Sequence, residues 1–595
     1  MLNYKRLLVV ICLLGCGLQG GVAAVDDQLI GLYGPGGVGG LVLEELLRTE
    51  GIPYARLQNL DHLEKSGLRG LVLDECPEDV IPDIKEFLEH GGILLTLKPS
   101  GALAEALGLK QVGTEQDGHL LVGGKGAALI SYEGPLPLFG TSNGYKGGEI
   151  LAPLGGSEGF GGIVRVRRGA GAALVVAFDF SATLLRLLQP ESECGKAIDA
   201  SNVKYELFDV PQVDLMRRLL AGFFLDSLDV PLLRKWYFPS QYPAMLVVLG
   251  DQDGASFEQM KAVLDMMKEL ETPYTLYVTP TNQPITTEQF KVLADGGMEF
   301  ALHPDLTAEG KFTAKEFNAQ WKKAVADIGL AVTGERTHAS RWETFRQTPS
   351  WAEKAGLQYD AILGVRVWES NPSKNGYALG TGLPYYFIDP DTARRLDFLE
   401  IPTAGIDNTD FWSPRQYTVN FKPGAKKTFL AGLGLTEDEA FEAWKQTFDQ
   451  ASEKYHTAVG YCWHPHYLVA KELKQDVPFT TDTHFRKCIR YAKSRGMGLI
   501  GSNAFNAFWR AREQVMFADV AWDPQSATAE YRISSKVSMQ SLTLIAPLRF
   551  HGKKANVSVN GQAISYADVT SWGQPQAIWT VDVGLRESLI VVKYE

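Results

Sequence analysis

Met245-Leu246-Val247-Val248-Leu249-Gly250-Asp251-Gln252-Asp253-Gly254 is the stretch on which the fold turns. A short, unbroken apolar run that stops at a turn-forming Asp and Gly reads as a strand buried on both faces. Such strands belong to parallel sheets covered by helices. Similar runs recur downstream at Tyr274–Val278, Met298–Leu302, Ala361–Leu363, Ala458–Cys462 and Met497–Ile500. Between them lie segments with helical periodicity near Phe257–Leu270, Thr287–Asp295, Ala314–Ile328, Glu437–Lys454 and Thr483–Ser494. About 270 residues in this rhythm, 236–512, predict a (β/α) barrel, complete or with a gap.

In such a barrel the residues just after each strand face the catalytic mouth. Asp251 and Asp253 follow the first strand, and two residues two apart point the same way while the chain stays extended. Like charges that close raise each other's proton affinity unless a cation neutralises them. One can then hold a metal while the other takes a proton. His303 follows the strand Met298–Leu302, Arg336 and His338 lie in the next loop, and Trp463-His464-Pro465-His466 follows Ala458–Cys462. A lone His is more often structural than a ligand. Several at strand ends in one predicted barrel, beside an acidic pair, point to a metal-assisted hydrolytic site.

Strand-D-x-D-G, strand-H, an Arg loop, Tyr359-Asp360 and His464-Pro465, in this order, resemble the polysaccharide deacetylase superfamily, which includes carbohydrate esterase family four. The resemblance implies Asp251 as general base and Asp253 and His303 as metal ligands. It implies Arg336 as the partner of the base, His464 as general acid and Asp360 as the carboxylate orienting that acid. It also implies a divalent metal, with zinc suited to Asp and His donors. Two departures matter. The family's second His falls at Thr307, a poor zinc ligand, and its R-x-P motif reads Arg336-Thr337-His338 here. His338 is therefore expected to supply the missing imidazole. Trp342, Trp463 and His466 are candidates for contact with sugar rings. The expected activity is removal of acetyl groups from a carbohydrate. An inactive relative that binds glycan or acts as an envelope scaffold is the alternative, and an amidase on a non-sugar substrate uses the same chemistry.

The remaining sequence frames this region. Lys5-Arg6, the apolar run Leu7–Leu14 and Val22-Ala23-Ala24 read as an export signal over residues 1–24, implying a secreted, periplasmic or envelope location. Leu13-Leu14-Gly15-Cys16 is a competing lipid-anchor signal on Cys16. Residues 25–230 alternate strand and helix and predict a doubly wound α/β domain. It resembles glutamine-amidotransferase-like domains, but Cys76 is followed by Pro77 and is not expected to be a nucleophile. The loop Gly34-x-Gly36-x-x-Gly39 has nucleotide-binding spacing, yet Pro35 interrupts it, so a tight turn packing helix on strand is expected. Pro231–Pro239 reads as a linker. Residues 515–595, with Asn560-Gly561 as a hairpin turn, predict a small β-sandwich. Lys+Arg 58 against Asp+Glu 70, with no basic block past the N-terminus, argues against a nucleic-acid partner. Cys76, Cys194, Cys462 and Cys488 lack CxxC spacing, so no structural zinc site is expected, and their pairing is left open. No transmembrane helix is expected.

Overall fold

The computed structural model describes residues 28–595 apart from 35, 62, 64–65, 157–158, 190–208, 282, 309, 341–346, 362–375, 378 and 423–424. The export signal, Cys16, Cys194 and Trp342 lie outside the described residues.

The strand Met245–Asp251 is buried along its whole length. It pairs in parallel with Thr275–Val278 on one side and Ala458–Cys462 on the other. The sheet runs Tyr385–Asp389, Arg394–Glu400, Tyr359–Asp360, Gly334–Glu335, Glu299–Leu302, Thr275–Val278, Met245–Asp251, Ala458–Cys462, Gly405–Ile406, with Gly498–Ile500 also on the first strand. Every pairing is parallel except that of Tyr385–Asp389 with its neighbour. Its two ends are not paired with each other among the described residues, so the barrel is open. Parallel order brings the carboxyl ends of these strands, and the loops after them, to one edge.

Helices Phe257–Leu270, Thr287–Asp295 and Ala314–Ile328 occur at the expected residues. Local chemistry explains why. Ser256 with Gln259 and Thr286 with Gln289 form capping boxes that satisfy orphan N–H groups, and Thr313 caps the third helix. Of the strand expected at Ala361–Leu363, Ile362 and Leu363 lie outside the described residues; just before it Tyr359–Asp360 forms a strand held by main-chain pairing to Gly334–Glu335 and Arg394–Glu400.

The first sheet is only half of what its sequence predicts. Ala55–Arg56, Ile30–Tyr33, Gly70–Leu73, Ile93–Leu97 and Gly171–Val176 pair in parallel. The strands Gly161–Arg168, Gly134–Lys146, Lys110–Val122 and Glu149–Gly155 extend the sheet antiparallel. Glycines at positive φ, Gly147, Gly148 and Gly169, turn the chain back where a parallel layout would need a crossover helix. In the glycine loop, a Cβ at Gly39 would fall 2.1 Å from the Asp74 carboxylate. Asp74, which burial and then Glu75 push up to about 6, accepts from the Gly40 amide. The helix N-terminus is thus capped by the protein's own carboxylate, and the tight-packing reading of the loop accounts for its glycines. Burial pushes the Cys76 thiol up to about 11, so it is no ready nucleophile.

The C-terminal residues form two antiparallel sheets. Asn560 and Gly561 both have positive φ between the paired residues Val559 and Gln562, the two-residue turn the dipeptide predicts. The segment expected as a linker is a buried seam instead. Arg234–Lys235 pairs with Leu544 and Ile545, and the Arg234 guanidinium lies 3.5 Å from the centre of the Trp572 ring. Arg512, fully buried, donates to the carbonyls of Arg48, Thr49, Lys235 and Trp236. These are long amphipathic side chains, and their charged ends reach main-chain oxygens across the seam while their stems fill it.

Behind the sheet, Trp463 donates to His484 Nδ1 at 3.1 Å, and His484 Nε2 faces Cys488 Sγ at 3.3 Å. Burial pushes His484 down to about 3. A group depressed from about 6.5 stabilises the fold above its unfolded pKa and loses that stabilisation as pH falls toward 3. Between pH 7 and 4.5 this one ring should cost about 2–3 kcal/mol. Urea unfolding at both pH values is expected to show that loss, and His484→Gln, which keeps an acceptor for Trp463, should flatten it. An equal pH slope in the variant would remove His484 as the cause. Among the described residues Cys76, Cys462 and Cys488 are free thiols, and no helix is long and apolar enough to cross a membrane.

Candidate active site

Three imidazoles reach one pair of carboxylates at the carboxyl edge of the central sheet. His303 Nε2 lies 3.3 Å from Asp253 Oδ1, His464 Nε2 lies 3.4 Å from Asp253 Oδ2, and His338 Nε2 lies 3.9 Å from Asp253 Oδ1. His303 and His464 also stand 3.9 and 3.8 Å from Asp251 Oδ2. Each ring turns its other nitrogen to a different oxygen. His303 Nδ1 meets the Arg336 carbonyl at 2.5 Å, His464 Nδ1 meets Asp407 at 2.6 Å, and His338 Nδ1 lies 3.4 Å from Asp305. For His303 and His338 an oxygen at Nδ1 favours the proton there and leaves the Nε2 lone pair facing inward, the tautomer a metal needs, while the Asp407 carboxylate at His464 Nδ1 favours the doubly protonated ring.

The backbone accommodates this convergence at some strain. Asp253 has φ +45° and Ala339, next to His338, has φ +55°. Non-glycine residues in this region are costly and cluster at functional sites. Side-chain exposure rises from 1% at His303 and 3% at His464 to 25% at Asp253 and 37% at His338, so the site opens to solvent on the His338 side.

The two aspartates differ in surroundings. Arg336 Nε stands 2.9 and 3.0 Å from the two oxygens of Asp251, and its Nη1 is anchored on the Ala361 carbonyl. Burial opposes ionisation of Asp251, but Arg336, then His303 and His464, outweigh it and hold the carboxyl below its ordinary range. Asp253 is likewise held well below the ordinary carboxylate range. Burial again opposes, and the neighbouring His303 and His464 rings prevail. For His464, burial disfavours the charged ring, and the Asp407 carboxylate raises it well above the usual imidazole range.

Asp253, His303 and His338 each offer one donor atom, and all three lie within 4.8 Å of one another. Two donors about 2.1 Å from one tetrahedral ion stand about 3.4 Å apart, close to the 3.3 Å separation of His303 and Asp253. His303 Nε2 is buried and makes no hydrogen bond, although Asp253 is so near. An Asp/His/His set with an orphaned nitrogen suits a divalent ion of the zinc type. Asp251, Cys462 and His464 form a second such group. Burial and the Asp251 charge drive the Cys462 thiol far up, which disqualifies it as a thiolate ligand.

Several expectations change. Asp360 does not orient His464. It is buried beside Glu335 on the neighbouring strand, which points its side chain away from the face that Arg336 uses. The orienting carboxylate is Asp407, which accepts from both the ring and the backbone N–H of His464, the latter at 2.7 Å. Sequence reading missed Asp407 because its strand, Gly405–Ile406, is two residues long. The one available signal was an acid directly after an apolar pair. Trp463 is fully buried, 4.2 Å from the Tyr461 ring centre, and is a core residue with no face for a sugar. His466 is half-buried against Tyr467 near His464, and burial pushes it down to about 4. Thr307 bonds Asp305 through its N–H and its hydroxyl.

No protein-family model and no curated protein sequence matches the chain. Solved structures do match part of it. One described as a polysaccharide deacetylase from Mycobacterium smegmatis is 16% identical at a TM-score of 0.35, over 50% of this chain and 98% of its own. Puue allantoinase is 12% identical at 0.34, over 46% and 93%. A family 4 carbohydrate esterase from Streptomyces lividans is 10% identical at 0.24, over 44% and 93%. Likeness this low says nothing about activity, and what the chain does must be read from its own side chains.

Proposed function

We propose that the chain is an exported, metal-dependent hydrolase that removes acetyl groups from a carbohydrate, an envelope glycan by preference. The observation that carries this reading is the convergence of three inward-facing Nε2 atoms on Asp253, beside an Asp251 locked to Arg336. In it, Asp253, His303 and His338 hold the ion. When bound, a zinc-type ion supplies a Lewis acid and lowers the pKa of its water to about 7. Asp251, kept ionised by Arg336, accepts the proton of the attacking water. His464, kept protonated by Asp407, gives its Nε2 proton to the departing amine or alcohol. His466 packs against Tyr467, Trp412 bonds the same Tyr467, and both are candidates for sugar contact.

Metal analysis of the purified protein, with acetate release from acetylated oligosaccharides, tests the reading. About one ion per chain with acetate release supports it. Thr307 favours the second reading, an inactive relative that binds glycan, which predicts glycan binding with neither metal nor acetate release. Release of ammonia from non-sugar amides, without acetate, would move the substrate to that class. His338→Ala is expected to weaken metal affinity by more than about 100-fold, since even partners outside the ligand shell cost 10–100-fold. Unchanged stoichiometry and activity would remove His338 from the site. Mass spectrometry of the mature N-terminus tests export: cleavage near Ala24 fits secretion, and a lipid on Cys16 fits anchoring.

A further inference from the structure

We propose that Asp305 is the positioning residue of the third imidazole and that Thr307 locks it. On this view the position four residues after His303 serves the metal through a carboxylate instead of through a ring. The inference rests on the metal-site reading above.

Asp305 is held from three directions. Its backbone N–H donates to Gln320 Oε1 at 2.7 Å, and its carbonyl accepts from Gln320 Nε2 at 2.7 Å. Gln320 is a buried residue of the helix Ala314–Ile328, so that helix clasps Asp305 on both sides of its Cα. Its side-chain Oδ1 accepts from the Thr307 N–H at 3.1 Å and from the Thr307 hydroxyl at 2.6 Å. The same Oδ1 lies 3.4 Å from His338 Nδ1, which has no other hydrogen-bond partner among the described residues. The His338 N–H donates to the Pro304 carbonyl at 3.0 Å, which ties the two loops together next to this contact.

The arrangement matches those of the other two rings. Each Nδ1 faces an oxygen whose own position is fixed: a strand-end carbonyl for His303 and a buried carboxylate for His464. His338 comes from a different strand end, is the most exposed of the three, and needs such an oxygen most. A ligand His that donates to a carboxylate is oriented and made more basic, and losing that partner typically costs 10–100-fold in metal affinity. Thr307 suits this task. It cannot supply an imidazole, but its hydroxyl and N–H together fix one carboxylate oxygen in an Asx-type turn.

The test is zinc affinity by chelator competition on the full-length protein, with the visible spectrum of the cobalt-loaded form as a second readout. Asp305→Asn is expected to lower affinity about 10–100-fold and to alter the cobalt spectrum, with one ion still bound at saturation. Thr307→Val should follow it in the same direction, and Thr307→Ser should retain wild-type affinity. In a His338→Ala background, Asp305→Asn should cost nothing further, because the two act as one unit. Wild-type affinity in Asp305→Asn, or an equal loss with and without His338, overturns the inference while leaving the metal site standing. Wild-type protein that takes up no zinc or cobalt overturns the metal-site reading and the inference with it.

Discussion

Replacing Asp253 by Ala is expected to abolish metal uptake and to lower acetate release by at least about 10³-fold, the equivalent of about 4 kcal/mol of lost Lewis-acid stabilisation. The physical reason is its place at the centre. Among the described residues it is the one within 4 Å of all three Nε2 atoms, so its loss removes a ligand and the one carboxylate among them that His338 Nε2 meets. The fold should survive, because the Asp253 side chain is a quarter exposed and pins no core element. The same variant gives a stability readout. Wild-type protein should gain about 4 kcal/mol of resistance to unfolding at metal concentrations a thousandfold above Kd, and Asp253→Ala should gain none. Full metal content in the variant, or an equal metal-induced gain in stability, would take Asp253 out of the ligand set.

Asp407→Asn is expected to lower turnover by about 10²–10⁴-fold with metal content unchanged. Asp407 presents two acceptor oxygens to two donors, the ring and the backbone N–H of His464, at 2.6 and 2.7 Å. An amide has one acceptor oxygen and one NH2 group, so one of those donors must then face another donor. Either the ring loses its proton at Nδ1 or it swings, and in both cases Nε2 no longer carries the proton the leaving group needs. The removed charge also withdraws what holds the ring protonated against burial. Metal content is the discriminating measurement. If Asp407→Asn lost the ion along with activity, Asp407 would be acting on the metal site at large and not on His464.

What was legible in the sequence followed from local chemistry. The strand Met245–Asp251 announced itself by an apolar run ending in Asp, and the helix ends at Ser256, Thr286 and Thr313 by caps a few residues from the groups they satisfy. Asp251, Asp253, His303, Arg336, His338 and His464 were readable because each lies at or just after a strand, and parallel strands bring those ends to one edge. Trp463 misled for the same reason. It too follows a strand, but strand residues alternate sides, so its neighbour His464 faces the site while Trp463 faces the core. The supporting residues were not readable. Asp407 stands 57 positions from His464, and nothing local separates it from Glu335 and Asp360, which also sit at or next to short strands.

By itself, then, the sequence determined the central parallel sheet, its capped helices, the acidic pair and the rings that could meet it, because periodicity and capping act over a few residues. Tertiary structure alone decided which face each strand turns inward, that the two ends of the sheet are unpaired with each other among the described residues, that Pro231–Pro239 is a seam and not a linker, and that Asp407 and Asp305 are the carboxylates behind the imidazoles. Those outcomes depend on contacts between residues far apart in the chain, whose pairing is set by packing the whole and leaves no local mark. The stretch Met245–Gly254 marks where the carboxylates and imidazoles gather, and the folded chain supplies what holds them there.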